Sequence, residues 1–236
     1  MHICAQQVVV DNGLIKRGVD TSNGHIVTSH YVLQANDMGF LNGGSNEFSF
    51  LVNGTFYSGR SEWTDIRSRE VETADGGKGV LVSFKDRAGA FAVDLTYMAY
   101  PGLPLVRKTL KVTNLGNEEL KLEAVNVEDV SMSLNPVESR VMHKYARYKT
   151  FSSYIGNWED PLIVVHDTNR ERGMAIGNED IGVLKLTSVF TDGSKMTAGM
   201  THPGQPYAFR RWLGKGFPFQ VRQAVCGEVL KNKVLA

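Results

Sequence analysis

Apolar and polar residues alternate along much of the chain, which is the pattern of β-strands with one buried face. In Phe91–Tyr97, every second residue is bulky and apolar or aromatic, whereas Ala92, Asp94 and Thr96 lie on the opposite face. Further strands are predicted at Gly13–Arg17, Ile26–Leu33, Phe48–Val52, Ile66–Glu72, Val80–Phe84, Val106–Val112, Leu120–Ala124, Leu162–His166, Met174–Gly177, Val183–Phe190 and Gln220–Val225.

Turn sequences separate these segments, and several contain Asn-Gly or Asp-Gly, whose residues adopt the positive φ that tight hairpins need. They lie at Asp11–Gly13, Asn53–Gly54, Asp75–Gly77, Asp86–Gly89, Asn114–Asn117 and Thr191–Ser194. So many short strands predict an all-β fold, a large antiparallel sandwich of two facing sheets with little helix. In Val137–Lys149 the apolar residues come close to helical spacing, so a helix or a long loop is predicted there.

Composition narrows the class of protein. The chain has 236 residues, of which 42% are hydrophobic and 22% charged, and its formal net charge is +1. This apolar fraction is enough for a large core, and no run of about 18 apolar residues is present to span a membrane. Without a basic block, neither nucleic acid nor anionic lipid is an expected partner. No linker-like tract divides the sequence, so residues 1–236 are predicted to form a single β-supersandwich domain.

The cysteines and the first residues bear on the compartment. Cys4 and Cys226 lie at opposite ends of the chain and form either one bridge or two unrelated thiols. Residues 1–7 are interpreted either as the remnant of a secretory signal, because a small residue precedes glutamine, or as an ordinary N-terminus. The first alternative predicts a periplasmic or extracellular protein, and the second a cytoplasmic one.

Motifs for cofactor chemistry are absent from the sequence. It contains no phosphate-binding loop, dinucleotide fingerprint, Gly-x-Ser-x-Gly elbow or zinc-type spacing, so no cofactor and no metal are expected. His166, at a predicted strand end and close to Glu171, is the best candidate for an acid–base pair acting on a sugar hydroxyl. The more common alternative is a histidine with an ordinary structural partner.

Glycoside hydrolysis needs two carboxylates about 5–10 Å apart across the sugar. Glu123, Glu128 and Asp129 lie on or near one predicted strand, but charges at such positions usually face solvent. The sequence therefore predicts no catalytic carboxylate pair.

Tryptophans that lie beside polar residues indicate a carbohydrate-binding surface. An exposed indole next to carboxylate or amide groups can stack on a pyranose ring while its neighbours bind hydroxyls. Trp158, which lies in a polar loop with Asp160, and Trp63 are predicted on this ground to bind carbohydrate, and Trp212 has a similar setting. Burial in the core is the alternative for each of these rings.

Four segments carry a family resemblance. Tyr100–Lys108, continuing into Lys111–Glu123, resembles the N-terminal β-domain of alpha-galactosidase-like enzymes of glycoside hydrolase family 36 and its relatives. In that domain a Tyr-Pro turn followed by Val-Arg enters a strand, and an Asn-x-Gly hairpin leads to a Leu-x-Leu-Glu strand. Asp11–Arg17 is similar to the start of such domains. Pro161–Val165, followed by Glu171–Gly177, is similar to a later hairpin, and Arg210–Phe219 to the closing strand.

The resemblance implies a β-supersandwich, the fold that galactose mutarotases also use. In the family the catalytic carboxylates stand on a (β/α)8 barrel that follows this domain, so the chain is expected to be a non-catalytic module with a structural and carbohydrate-binding role. A galactoside-like sugar and a catalytic barrel are the implied partners, and homo-oligomerisation stays open. The alternative is a stand-alone aldose 1-epimerase or mutarotase. Because the mutarotase motif His-x-Tyr-Phe-Asn-Leu is absent, no catalytic residue is carried over.

Overall fold

The computed structural model describes most of the N-terminal half of the chain and a set of strands from the C-terminal half. The described residues are 7–34, 38–39, 41, 45–132, 138–142, 148–151, 154–156, 162–167, 172–179, 185–190, 195–200, 204 and 208–226. Apart from a 3-10 turn at Ser22–Gly24, the regular structure within these ranges is all β. No helix in them is long and apolar enough to cross a bilayer.

The strands follow one another closely along the chain. In chain order they are β1 (Gln7–Asp11), β2 (Ile15–Asp20), β3 (Val27–Leu33), β4 (Met38–Gly39), β5 (Glu47–Val52), β6 (Thr55–Ser58), β7 (Trp63–Glu72), β8 (Lys78–Asp86), β9 (Phe91–Ala99), β10 (Leu105–Asn114), β11 (Leu120–Ser131), β12 (Glu138–Met142), β13 (Tyr148–Phe151), β14 (Tyr154–Gly156), β15 (Leu162–Asp167), β16 (Arg172–Asn178), β17 (Lys185–Phe190), β18 (Lys195–Met200), β19 (Arg210–Leu213) and β20 (Pro218–Cys226).

These strands build three antiparallel sheets. A small sheet has the order β1-β2-β3-β4, and a nine-stranded sheet has the order β13-β12-β15-β16-β20-β10-β9-β8-β7. A seven-stranded sheet has the order β14-β17-β18-β11-β5-β6, and β19 pairs with the first part of β11. The predicted all-β sandwich is confirmed, with the small sheet as an addition to the two large ones.

Alternation predicted the strands with one buried face correctly. In β9, the side chains of Phe91, Val93, Leu95 and Tyr97 are all buried, and the residues between them are half-buried. The two-residue turn Asn53-Gly54 joins β5 to β6, and its φ values of 51° and 81° are both positive, as a type I′ hairpin requires. Local chemistry therefore fixes both the strand faces and this turn.

The prediction of a helix or long loop at Val137–Lys149 is wrong. Glu138–Met142 and Tyr148–Phe151 form neighbouring strands, and the first of them also pairs with Leu162–Asp167. Strand pairing on both sides satisfies the backbone hydrogen bonds of β12. Since these partners are distant in sequence or depend on a hairpin, a weak helical periodicity does not reveal them. The alternation also missed β1, β4, β6, β14, β18 and β19.

The core lies between the two large sheets. Phe48 and Phe50 of β5 meet Phe84 and Phe91 from the nine-stranded sheet, with ring centroids 5.9 Å apart for Phe48–Phe84 and 6.0 Å apart for Phe50–Phe91. The indole of Trp63 joins them, 4.7 Å from the ring of Phe84. Such tilted and edge-to-face contacts add to the free energy gained by burial. This aromatic packing holds the two large sheets together.

Candidate functional site

Four charged side chains from all three sheets meet in the interior. Arg17 comes from β2 of the small sheet, Lys108 from β10 of the nine-stranded sheet, and Glu47 and Glu128 from the seven-stranded sheet. None is more than 1% exposed. We call these four residues the buried ion cluster.

Each cation of the cluster binds both carboxylates. Arg17 Nη1 lies 2.6 Å from Glu128 Oε1, and its Nη2 lies 2.8 Å from Glu47 Oε1 and 3.0 Å from Glu128 Oε2. Lys108 Nζ lies 2.8 Å from Glu47 Oε1 and 3.2 Å from Glu128 Oε2. Two positive and two negative charges therefore balance inside the protein, the arrangement that buried charges require.

Polar neighbours complete the cluster. The hydroxyl of Tyr97 donates to Glu47 Oε1 at 2.7 Å, and the backbone N–H of Thr28 donates to Glu47 Oε2 at 2.8 Å. Arg17 Nε donates to the Thr28 hydroxyl at 3.0 Å. The guanidinium also lies over the rings of Tyr31 and Tyr97, 5.2 and 5.1 Å from their centroids. Both carboxylate oxygens of Glu47 are thus satisfied.

Burial and the charges of the cluster shift the pKa values of Glu47 and of its neighbour Tyr97. Burial alone would raise the pKa of Glu47, but the charges of Arg17 and Lys108, with hydrogen bonds from Lys108 and Thr28, hold it far below the usual range. Burial raises the pKa of Tyr97, and the neighbouring charge of Glu47 raises it further. At neutral pH Glu47 is therefore held as an anion and Tyr97 as a neutral donor.

The backbone at Glu47 is strained. Its φ is 70°, in the left-handed region that a non-glycine residue seldom occupies. The N–H of Phe48 donates to the carbonyl of Asn46 at 2.9 Å, which closes a three-residue γ-turn around Glu47. Lys108 Nζ holds this turn by donating to the Glu47 carbonyl at 2.8 Å. Strain of this kind costs about 1–3 kcal/mol and persists where surrounding contacts over-determine the conformation.

The chemistry of this site is that of a scaffold. Its carboxylates are neutralised and closed to solvent, so a substrate has no direct approach to them. A general acid or base must reach the proton that it transfers, and Glu47 and Glu128 do not meet that condition. The cluster instead ties three sheets together at one point.

The expectation that Glu123, Glu128 and Asp129 face solvent is wrong, because all three are buried. Strand β11 lies between β5 and β18, and its register shifts twice against β5, between Glu123 and Asn126 and between Asn126 and Asp129. Each of the three carboxylates has a cationic partner on another strand, which overrides the general preference of charged residues for solvent on which the expectation rested.

Two of the segments that carry the family resemblance, Asp11–Arg17 and Tyr100–Lys108, are in contact. Asn12 Nδ2 donates to the carbonyls of Tyr100 and Leu103, at 2.7 and 2.8 Å. Arg107 Nη1 donates to the Tyr100 hydroxyl at 2.6 Å, and its guanidinium carbon lies 5.0 Å from the centre of that ring. The Asn-Gly start and the Tyr-Pro…Val-Arg turn thus fix each other, and their neighbours Arg17 and Lys108 enter the buried ion cluster. These motif residues have structural roles.

A second charged group lies on the outer face of the seven-stranded sheet. Glu123 Oε1 accepts from Arg210 Nε at 2.8 Å, and its Oε2 lies 3.0 Å from Lys121 Nζ. Burial would raise the pKa of Glu123, but these two hydrogen bonds bring it below its ordinary value. Trp212, which follows Arg210 by two residues, pairs with Lys121 and is 63% exposed.

The structure places the sequence-predicted residues as follows. Trp63 is 4% exposed, and its indole N–H donates to the Ser58 carbonyl at 2.9 Å, so its ring packs in the core and is not an exposed stacking platform. His166 is the penultimate residue of β15 and lies opposite Gly173 of β16 and Glu138 of β12. Trp158, Asp160 and Glu171 lie outside the described residues, and their predicted roles stay predictions.

Within the described residues, no three His, Cys, Asp or Glu side chains are grouped so that they could hold a metal ion.

Sequence reasoning missed the buried ion cluster, although one indication was available. Lys108 lies in phase with Val106 and Leu110 on the apolar face of its strand. A lysine at such a position predicts a buried partner of opposite charge.

Comparison with solved structures finds close agreement in fold at low sequence identity. The GH36 alpha-galactosidase AgaB from Geobacillus stearothermophilus superposes with a TM-score of 0.70 and 13% identity, over 95% of this chain and 40% of that chain. The alpha-galactosidase from Lactobacillus brevis gives a TM-score of 0.66 and 15% identity, over 98% and 40%. A galactose mutarotase related enzyme from Lactobacillus acidophilus gives 0.54 and 10%, over 98% and 100%.

Searches with protein-family models and against curated proteins found no match. The chain spans about 40% of the length of the alpha-galactosidases that it resembles. At identities this low, the structural agreement shows a common fold alone. The chain therefore has the β-sandwich fold that these alpha-galactosidases contain and that the mutarotase-related enzyme shares, as the sequence resemblance predicted.

Proposed function

We propose that this chain is a non-catalytic β-supersandwich module of an alpha-galactosidase-like glycoside hydrolase, with a structural role beside a catalytic (β/α)8 barrel and a carbohydrate-binding role of its own. The observation that carries the proposal is the fold agreement with AgaB. The superposition covers nearly all of this chain and only 40% of the enzyme. In this proposal, the catalytic residues lie in the part of such an enzyme that this chain does not cover.

The charged residues support a non-catalytic role. Glu47 and Glu128 form ion pairs within the buried ion cluster, and Glu123 is paired with Arg210 and Lys121. A glycosidase needs one carboxyl group that keeps its proton near neutral pH. The pKa values of Glu47 and Glu123 are instead shifted downward, which opposes that role.

The test is hydrolysis of an aryl α-galactoside by the purified chain. We expect no rate above the spontaneous one. Hydrolysis that Glu123→Gln abolishes and Glu118→Gln leaves intact would refute the non-catalytic role, because Glu118 precedes the strand and serves as a matched carboxylate control.

A second candidate function is sugar mutarotation, favoured by the agreement with the whole length of the mutarotase-related enzyme. In this alternative His166 and Glu171 act as the acid–base pair on the anomeric hydroxyl and ring oxygen. Polarimetry of freshly dissolved α-galactose distinguishes the two functions. A catalysed rate that His166→Ala and Glu171→Gln each abolish supports the mutarotase, whereas the spontaneous rate supports the module.

A further inference from the structure

One tryptophan of the described residues is strongly exposed, and its position is defined by strand pairing. Trp212 lies on β19 directly opposite Lys121 of β11, and it is 63% exposed. Directly opposed residues in an antiparallel pair share a face and lie about 4.5–5.5 Å apart at Cβ. Arg210, two residues earlier on the strand, projects from the same face. The indole therefore stands beside two cationic side chains.

Glu123 organises these two cations. Its carboxylate is 5% exposed, whereas the side chains of Lys121 and Arg210 are 33% and 56% exposed. Arg210 uses Nε for the contact with Glu123, and in the part of the chain that the structure describes its two terminal nitrogens have no partner. A shielded carboxylate thus holds a planar donor fork and an ammonium group at the surface.

A second exposed aromatic lies on the other side of this charged group. Phe56 of β6 pairs with Leu51, and Leu51 pairs with Glu123, which puts the three residues in one row across the face. Phe56 is 56% exposed. Two strand spacings separate it from Glu123, about 10 Å. Aromatic rings therefore flank the Glu123 group from both sides.

We propose that this surface, made of Trp212, Phe56, Lys121, Glu123 and Arg210, binds a pyranose sugar at the Trp212 indole. The proposal rests on the proposed carbohydrate-binding role and gives it a place. An indole presents a flat apolar face to the C–H groups of a sugar ring while neighbouring donors bind its oxygens. Because Glu123 already orients the donors, little conformational entropy is lost on binding.

The charge distribution favours a sugar over a docked protein domain. The centre of a protein–protein interface is depleted in charged residues and enriched in apolar ones. Here the centre is ionic and the aromatics stand at the sides, with cations in excess over the one carboxylate. Oxygen-rich ligands fit this arrangement, either through neutral hydroxyl groups or through a uronate carboxylate.

The experiment is calorimetric titration of the full chain with methyl α-galactoside and, separately, with galacturonate. We expect binding that Trp212→Ala weakens by at least about tenfold and that Leu103→Ala, an exposed residue outside this surface, leaves unchanged. Arg210→Met is expected to weaken galacturonate more than the neutral sugar if the carboxylate is the recognised group. Equal losses identify hydroxyl recognition.

Several outcomes would overturn the proposal. Unchanged affinity in Trp212→Ala would do so, and loss confined to Trp158→Ala would move the site elsewhere while keeping the carbohydrate-binding role. No binding of either sugar would remove that role and leave the non-catalytic structural role to the hydrolysis test. A dimer that Trp212→Ala dissociates, seen by sedimentation without sugar binding, would make this surface an interface between copies.

Discussion

The buried ion cluster predicts a large loss of stability when one of its charges is removed. In Lys108→Met, the chain loses the three contacts of Nζ, at 2.8 Å to the Glu47 carbonyl, 2.8 Å to Glu47 Oε1 and 3.2 Å to Glu128 Oε2. Arg17 then faces two carboxylates alone, and a net negative charge stays in an interior with no access to water.

The free energy of unfolding should fall by about 3–5 kcal/mol, the cost of removing one partner from a buried ion pair. The three contacts counted singly, at about 1.5–3 kcal/mol for each hydrogen bond to a charged group, would sum to more than this, because contributions within one network are not additive. Adding Glu128→Gln restores the charge balance. We therefore expect the double variant to be less destabilised than the sum of the two single variants.

Urea denaturation followed by circular dichroism measures this loss as a lower midpoint at an unchanged slope. For a protein of this length each kcal/mol lowers Tm by about 2–4 °C, so a decrease of about 6–20 °C is expected. Lys111→Met is the matched control on the same strand. Its side chain is 38% exposed and its Nζ lies 3.4 Å from Asp94, a surface pair that contributes about 0–1 kcal/mol.

Two results would refute this reasoning. If Lys108→Met cost no more than Lys111→Met, the cluster would not stabilise the fold. If the effects of Lys108→Met and Glu128→Gln simply added, the two charges would not be coupled.

Two further predictions concern stability. The pKa of Glu47 is lowered in the folded protein. The stability that its charge contributes is therefore fully present above the ordinary glutamate pKa of about 4.3 and is lost as pH falls through the folded pKa. Between about pH 6 and pH 3, the free energy of unfolding should therefore decrease as the pH is lowered, and it should decrease less steeply in Glu47→Gln. Equal slopes in the two proteins would contradict this assignment. Gly79→Ala would drive its Cβ into the backbone carbonyl of Tyr97 and should cost about 1–3 kcal/mol. Gly116→Ala meets an atom no nearer than 3.5 Å and should change thermal stability little; similar Tm losses in both variants would argue against the clash.

Local sequence determined the strands with one solvated face and the tight turns between them. Alternation over Phe91–Tyr97 and the Asn53-Gly54 pair each specify their structure through residue chemistry alone, because side-chain period and backbone φ are local properties. The motif resemblance predicted the β-sandwich that the comparisons confirm. Fold class was therefore accessible before any contact was known.

Tertiary structure decided which charges are buried and which aromatic ring is exposed. Alternation puts Lys108 on the buried face of its strand. It does not show which carboxylates meet Lys108, or that three sheets bring Arg17, Glu47 and Glu128 to the same point. Likewise Trp63 and Trp212 both stand beside charged residues in the sequence, yet the first packs in the core and the second lies on the surface. Burial depends on the strands that cover a side chain from elsewhere in the chain, so it follows from sheet pairing and layer packing and not from the residue's own neighbours.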